Sequence, residues 1–391
     1  MSQELINHST DLKRLRDEGL NIEARNGLLL VYDIPYLNTN GEIKRGILVS
    51  ELNLAGDKTI KPNTHVIYFA GEYPCNKDGT PIEQIRHQSK LKSLKDLVEI
   101  NHSFSNKPRE GYSDYYEKVT TYIKIISGPV KSIDNSITEK VFRVIESQDD
   151  DCIFNYFDTN SSRAGIIDMS LKLINQKIAI IGLGGTGSYI LDFISKTLVK
   201  EIHLFDGDQL LSHNAFRSPG APSIESLRMQ MNKTEYFKQI YSAMHNNIFA
   251  HAEFISVDNL NKLEDMDFIF ICIDKSNIKG TIINKLVELG IAFIDVGMGI
   301  EVAEDGSLLG VIRTTTSTQE KRDHLKKRIS LSGNDDDAYS SNIQIAELNA
   351  LNASFAIIKW KKINGFYNDQ IKEHNSNYVI NTSQLLNEDE T

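Results

Sequence analysis

Lys177–Ser188, KIAIIGLGGTGS, runs an apolar β-type stretch straight into a glycine-rich turn and then into helical spacing. Gly182, Gly184 and Gly187 satisfy G-x-G-x-x-G, and Gly185 adds a fourth glycine. Such a turn lets backbone N–H groups approach phosphate oxygens at the positive end of a helix, where side chains would hold them off. The pattern gains weight from its surroundings. A second β-type run over 201–206 ends in Asp206, and an acid about 20 residues after such a turn is placed to accept hydrogen bonds from ribose hydroxyls. Asp208, in the following turn, has two readings: a ligand, or an aspartate that stabilises the turn.

Three residues further on distinguish a triphosphate from a dinucleotide. Glycine-loop amides largely suffice for the two phosphate charges of NAD. ATP carries about four charges and, when attacked at its α-phosphorus, needs fixed cations for the departing pyrophosphate. Asn214, Arg217 and Lys233 supply an amide, a planar fork and a point charge beyond the ribose acid. Asp274 ends the apolar run DFIFICID. A carboxylate at a strand end in an open α/β sheet faces the ligand crevice, where it would hold Mg²⁺; the other reading is a helix N-cap. Arg163, in DTNSSRAGI, is either a surface charge or a finger reaching a neighbouring site. No general base is needed if the substrate is a terminal carboxylate, ionised at pH 7 with a pKa of roughly 3.3–3.7. Charge neutralisation and in-line positioning would then be most of the catalysis.

These residues need a parallel sheet to hold them. The strand candidates 177–182, 201–206, 267–273 and 291–296 alternate with helical segments, which predicts an α/β fold. The expected domains are a smaller α+β region over 1–150 and a Rossmann-like region over 151–391. In the first, LLLVYDIPYL and THVIYFAGEYPC read as strands, and SLKDLVEI and GYSDYYEKVTTYIKIISG as helices. Tyr112, Tyr115, Tyr116 and Tyr122 read as core or interface packing rather than as a stacking platform. Residues 317–338 are highly charged and read as a mobile excursion covering the site. Residues 343–362 read as a helix with an apolar face of Ile345, Leu348, Ala356 and Trp360, and the last dozen residues as frayed.

Bulk properties exclude several classes. The 391 residues carry a net charge of −10, which argues against a nucleic-acid backbone as main partner. Three cysteines, Cys75, Cys152 and Cys272, show no paired spacing, so neither zinc nor a disulfide framework is expected. With no apolar leader or membrane-length run, a cytoplasmic, soluble protein is the expectation. Cys75 is the one candidate reactive thiol, although a structural role is the simpler reading; Cys272 reads as a small core residue.

GLGGTGS, the D-G-D followed by N-A-F-R, Lys233 and the strand-end Asp274 together resemble the ThiF/MoeB/HesA adenylyltransferases, relatives of the ubiquitin-activating enzymes, over roughly residues 160–365. The resemblance implies a Rossmann-like ThiF/MoeB adenylation domain and an ATP- and Mg²⁺-dependent enzyme. That enzyme would activate the C-terminal carboxylate of a ubiquitin-like protein or peptide as an acyl-adenylate. It further implies phosphates near Gly184 and Gly185, ribose on Asp206, triphosphate on Asn214, Arg217 and Lys233, magnesium on Asp274, and Arg163 donated across a homodimer. NIQIAELNALNA resembles the helix after this family's crossover loop. Bacterial ThiF-type proteins with a long N-terminal extension are more similar still, which implies ubiquitin-like modification or antiphage defence. Two departures stand out: residues 273–391 contain no cysteine for a thioester step, and paired C-x-x-C motifs are absent. A non-catalytic nucleotide-binding scaffold and an NAD-binding Rossmann protein are the alternatives.

Overall fold

The computed structural model describes residues 2–95, 97–144, 152–274, 276–329 and 343–388. The chain divides into two compact units, Met1–Ile145 and Glu146–Thr391.

In the first unit, α1 (Ser2–His8) and α2 (Thr10–Asp17) precede strands β1 (Ile22–Arg25), β2 (Leu28–Leu37), β3 (Ile43–Glu51), β4 (Leu54–Ala55), β5 (Lys58–Thr59), β6 (Val66–Ala70), β7 (Arg86–Leu94) and β8 (Val98–Ser105). Six of them form an antiparallel sheet in the order β1-β2-β3-β6-β8-β7, with β4 and β5 paired separately. Helix α3 (Tyr115–Lys131) starts where the Asp114 carboxylate accepts the Glu117 N–H at 2.7 Å, one of the donors a helix start leaves open. Its Val119, Tyr122, Ile123 and Ile126 recur at helical spacing and join the buried core over the sheet. Tyr112, Tyr115 and Tyr122 are buried there too, their hydroxyls donating to the carbonyls of Asn106, Glu51 and His65. They offer no stacking platform.

The helix expected over SLKDLVEI is a β-hairpin instead: β7 ends at Leu94 and β8 begins at Val98, with Lys95 turning at φ 51°. Leu94, Leu97 and Ile100 recur at three-residue intervals that resemble a helix, but Leu94 and Ile100 pack with Leu28, Leu30 and Val49 on the outer sheet face. Tertiary pairing overrode local spacing.

The second unit opens with α4 (Thr159–Ala164) and α5 (Ile167–Leu171). The parallel strands are β9 (Lys177–Ile181), β10 (Glu201–Phe205), β11 (Ile248–His251), β12 (Phe268–Ile271) and β13 (Ala292–Val302). β14 (Leu308–Ser317), β15 (Asn375–Val379) and β16 (Gln384–Glu388) extend the sheet antiparallel. The order β11-β10-β9-β12-β13-β14-β15-β16 reverses direction between β9 and β12, which makes the crevice beyond these two strands the ligand-binding position of an open α/β sheet. All four expected strands form. β11, only four residues long, does not stand out in the sequence.

Helices cover both faces, so the central strands read as continuous apolar runs. Ile178 and Ile180 face α6 (Gly185–Ile194) and α12 (Ala346–Ile363); Ala179 and Ile181 face α10 (Ser276–Leu289) and α11 (Leu325–Arg328). Between these lie the short α7 (Ser212–Ala215), α8 (Ile224–Arg228) and α9 (Lys233–Tyr241).

Three expectations change. The segment read as a mobile excursion is anchored in its described part, because Leu325 and Ile329, one turn apart, are both buried; residues 330–338 lie outside the described residues. In α12, Ile345 is the N-cap and Leu348 is only partly buried, whereas Asn349 and Asn352 are buried beside Ala353, Ala356 and Trp360. The tail expected to fray supplies β16, paired with β15. Among the described residues no helix is long and apolar enough to cross a membrane.

Candidate functional site

β9 is buried over its last four residues, and its ladder continues one step into the turn, where Gly182 N–H donates to the Phe205 carbonyl at 2.8 Å. The four glycines then serve different purposes. Gly182 turns at φ +91°, and a Cβ there would also stand 2.7 Å from the Cys272 carbonyl oxygen. At Gly187 a Cβ would collide with the Gly182 carbonyl oxygen, and at Gly185 with the Asn349 amide. Only at Gly184 would a Cβ meet nothing within 4 Å. The expectation that every glycine clears space for phosphate is therefore corrected: three keep the chain's own atoms apart, and Gly184 alone faces open space. Gly184 is also the N-cap of α6 and gives it no side-chain cap, which leaves the first N–H groups of the helix without a capping side chain, an arrangement able to accept an anion.

Asp206, which directly follows β10, is only 5% exposed. One carboxylate oxygen accepts the Leu183 N–H at 2.6 Å and the other the Asp208 N–H at 2.8 Å. It braces the glycine turn from the side, with lone pairs left over for a hydroxyl. Lys233, the first residue of α9, is buried; its Nζ lies 2.8 Å from Asp208 Oδ2 and 3.5 Å from Asp206 Oδ1. Of the two readings for Asp208, the geometry adds a third component: it neutralises the buried Lys233.

Asn214 is buried, and its Oδ1 accepts the Leu211 N–H at 2.9 Å, starting α7. Its carbonyl accepts the Arg217 N–H at 3.1 Å. Arg217 is half-buried, and its Nε is fully enclosed with no hydrogen-bond partner among the described residues. His213 reports on the neighbourhood: its pKa is lowered, first by partial burial, then by the charges of Arg217 and Lys233.

Asp274 lies just past β12 and is exposed. Its strand end adjoins the turn, since Gly182 abuts Cys272 and Ile273. Arg163 is exposed on α4. Its neighbour Ser161 lines a cavity of about 330 Å³ with Lys196, Thr197 and Leu198, just beyond the C-terminus of α6. That end is about 15 Å from the glycine turn by helix rise.

Two features escaped the sequence reading. Asp295 on β13 is fully buried between Lys279 Nζ at 2.8 Å and Arg313 Nη2 at 2.6 Å, which ties α10, the helix after Asp274, to the sheet. Asn349 reaches the glycine turn from α12. Its Oδ1 accepts from Thr186 Oγ1 at 2.9 Å and its Nδ2 donates to the Arg217 carbonyl at 3.4 Å. A polar residue recurring on an otherwise apolar helix face was the available signal. Neither cysteine of interest is poised to react. Cys75 is fully buried and its thiol pKa is raised by burial and by Asp78 and Glu72; Cys272 is raised by burial and by Asp295.

Residues 160–342 match the ThiF family, and residues 10–159 match a domain of unknown function, DUF6791. A curated relative from Saccharomyces cerevisiae (strain ATCC 204508 / S288c), tRNA threonylcarbamoyladenosine dehydratase 2, is 27% identical over 174 residues, 41% of this chain and 38% of that protein. The chain therefore spans well under half of that relative's length. Among solved structures, Escherichia coli MccB with MccA-N7isoASN aligns at 17% identity and a TM-score of 0.48, over 59% of this chain and 69% of its own. PaaA aligns at 18% identity and a TM-score of 0.46, over 57% and 75%. With its glycine turn at the strand-order reversal, braced by the acid after β10, the region 160–342 is a Rossmann-like domain of the ThiF family, joined in this chain to a preceding antiparallel-sheet domain.

Proposed function

We propose that the ThiF-family domain binds ATP and transfers its adenylyl group to the C-terminal carboxylate of a ubiquitin-like protein or peptide. A carboxylate oxygen attacks the α-phosphorus, the bond from that phosphorus to the bridging oxygen breaks, and pyrophosphate leaves; no proton is transferred. The supporting observation is the enclosed Arg217 Nε, without a partner among the described residues, on a segment that Asn349 joins to the uncapped start of α6. A buried guanidinium donor without an acceptor is costly, and a triphosphate oxygen would satisfy it. Gly184 leaves the open space such a group requires. In this reading Gly182, Gly185 and Gly187 shape the turn, Asp206 takes the ribose, and Asp208 and Asn214 hold Lys233 and the Arg217 segment in place. Mg²⁺ is commonly held by one or two carboxylates together with phosphates. Asp274 would hold it here, where it would offset phosphate charge. Arg163 would act from the second copy of a homodimer, and the first domain would select the carrier.

ATP–pyrophosphate exchange tests the proposal. Exchange that depends on a peptide with a free C-terminus and collapses in Lys233→Ala supports it. Saturable ATP binding with no exchange for any carboxylate favours the scaffold reading, and NAD binding indifferent to magnesium the dinucleotide reading. The yeast relative's name favours one further substrate, a carboxylate carried on tRNA; exchange stimulated by tRNA and not by peptides would select it.

A further inference from the structure

A polar amide in a buried helix face lowers stability unless its hydrogen bonds are made. Asn349 is 1% exposed and shares its face of α12 with Ala353, Ala356 and Trp360, where a leucine would bury more apolar surface. What it does instead is join three segments. Its amide fills the space beside Gly185, takes the Thr186 hydroxyl and gives a hydrogen to the Arg217 carbonyl. The Arg217 backbone is thereby held at both ends, its N–H by Asn214 and its carbonyl by Asn349. A long side chain delivers its guanidinium to a fixed point only if its backbone is fixed.

We propose that Asn349 is a positioning residue of the nucleotide site, locking the first turn of α6 to the Arg217 segment so that the Arg217 fork faces the phosphate-binding turn. This rests on the ATP-binding reading given above. Asn352, equally buried one turn on, is the internal comparison. It binds the Gly297 carbonyl and the Thr314 hydroxyl, tying α12 to β13 and β14 with no link to Arg217.

The test is a double-mutant cycle on the full-length chain, read as affinity for a fluorescent ATP analogue with Mg²⁺. Asn349→Leu should weaken binding about tenfold, and Arg217→Ala by tenfold or more. The double variant should be no weaker than Arg217→Ala, because the second loss acts through the first. Asn352→Leu combined with Arg217→Ala should instead multiply. If Asn349→Leu fails to fold, the smaller, uncharged Asn349→Ala removes the same hydrogen bonds without adding bulk beside Gly185 and should show the same coupling. Multiplying losses for Asn349 and Arg217, with the wild-type chain binding normally, overturn the positioning role alone. A wild-type chain that binds no analogue overturns both the role and the ATP reading.

Discussion

Alanine at Gly184 and alanine at Gly187 should fail in opposite ways, although the glycine motif treats the two positions alike. Gly184 sits at φ −70°, ψ −150°, extended backbone on the negative-φ side rather than the left-handed region that favours glycine. A Cβ there meets nothing within 4 Å. Replacing it should leave folding unharmed, or improve it by about 0.4–1 kcal/mol by restricting the unfolded chain. The new methyl group would stand where phosphate oxygens must come, keeping them from the first N–H groups of α6. Losing two charge-assisted hydrogen bonds at about 1.5–3 kcal/mol each removes about 3–6 kcal/mol, or roughly 10²–10⁴ in affinity. At Gly187 the methyl would strike the Gly182 carbonyl and press within 3.1 Å of Cys272 Cβ. Backbone cannot yield as a side-chain tip can, so overpacking should cost about 3 kcal/mol. Thermal melts paired with calorimetric ATP titrations separate the cases. A Gly184→Ala protein that melts like wild type and still binds ATP at wild-type affinity would refute the assignment of open phosphate space at the head of α6.

Other expectations follow from the same coordinates. His245 is fully buried, donates from Nε2 to the Val199 carbonyl and is held neutral, its pKa lowered to about 4 by burial. The unfolded chain takes up the proton first, so stability is intact above pH 6.5 and falls by about 3 kcal/mol as pH drops towards 4. Urea unfolding of wild type and His245→Gln across that window should show the steeper slope in wild type, the difference being this group's share. His213, whose pKa is lowered by burial, Arg217 and Lys233, should rise when a polyanion offsets those cations. ATP binding near pH 6 should therefore take up protons, seen as a binding enthalpy that varies with buffer ionisation enthalpy; no uptake would place His213 away from the phosphates. Cys75, buried with a raised pKa, should resist iodoacetamide until the chain is unfolded, as read by peptide mass; rapid native labelling would contradict its burial.

Much of the second domain was legible because its signals are local. β9 and β12 are apolar runs that lead into Gly182 and Asp274, β10 leads into Asp206, and an open parallel sheet leaves one crevice for such ends. What the sequence hid is what depends on distant partners. Gly185 is glycine because of Asn349, and Asp295 is tolerable only between Lys279 and Arg313. The β7–β8 hairpin was misread for a related reason, since Leu94 and Ile100 take their roles from β2 and β3 rather than from each other.

The hydrogen bond from Thr186 to Asn349 joins residues 163 apart. A chain emerging from the ribosome will therefore hold its phosphate turn, its acids and both cations long before α12 arrives to fix them. Until that helix docks, the Arg217 backbone is held by Asn214 at its N–H alone, so the segment beside the glycine turn takes its final geometry only when nearly the whole domain has been made.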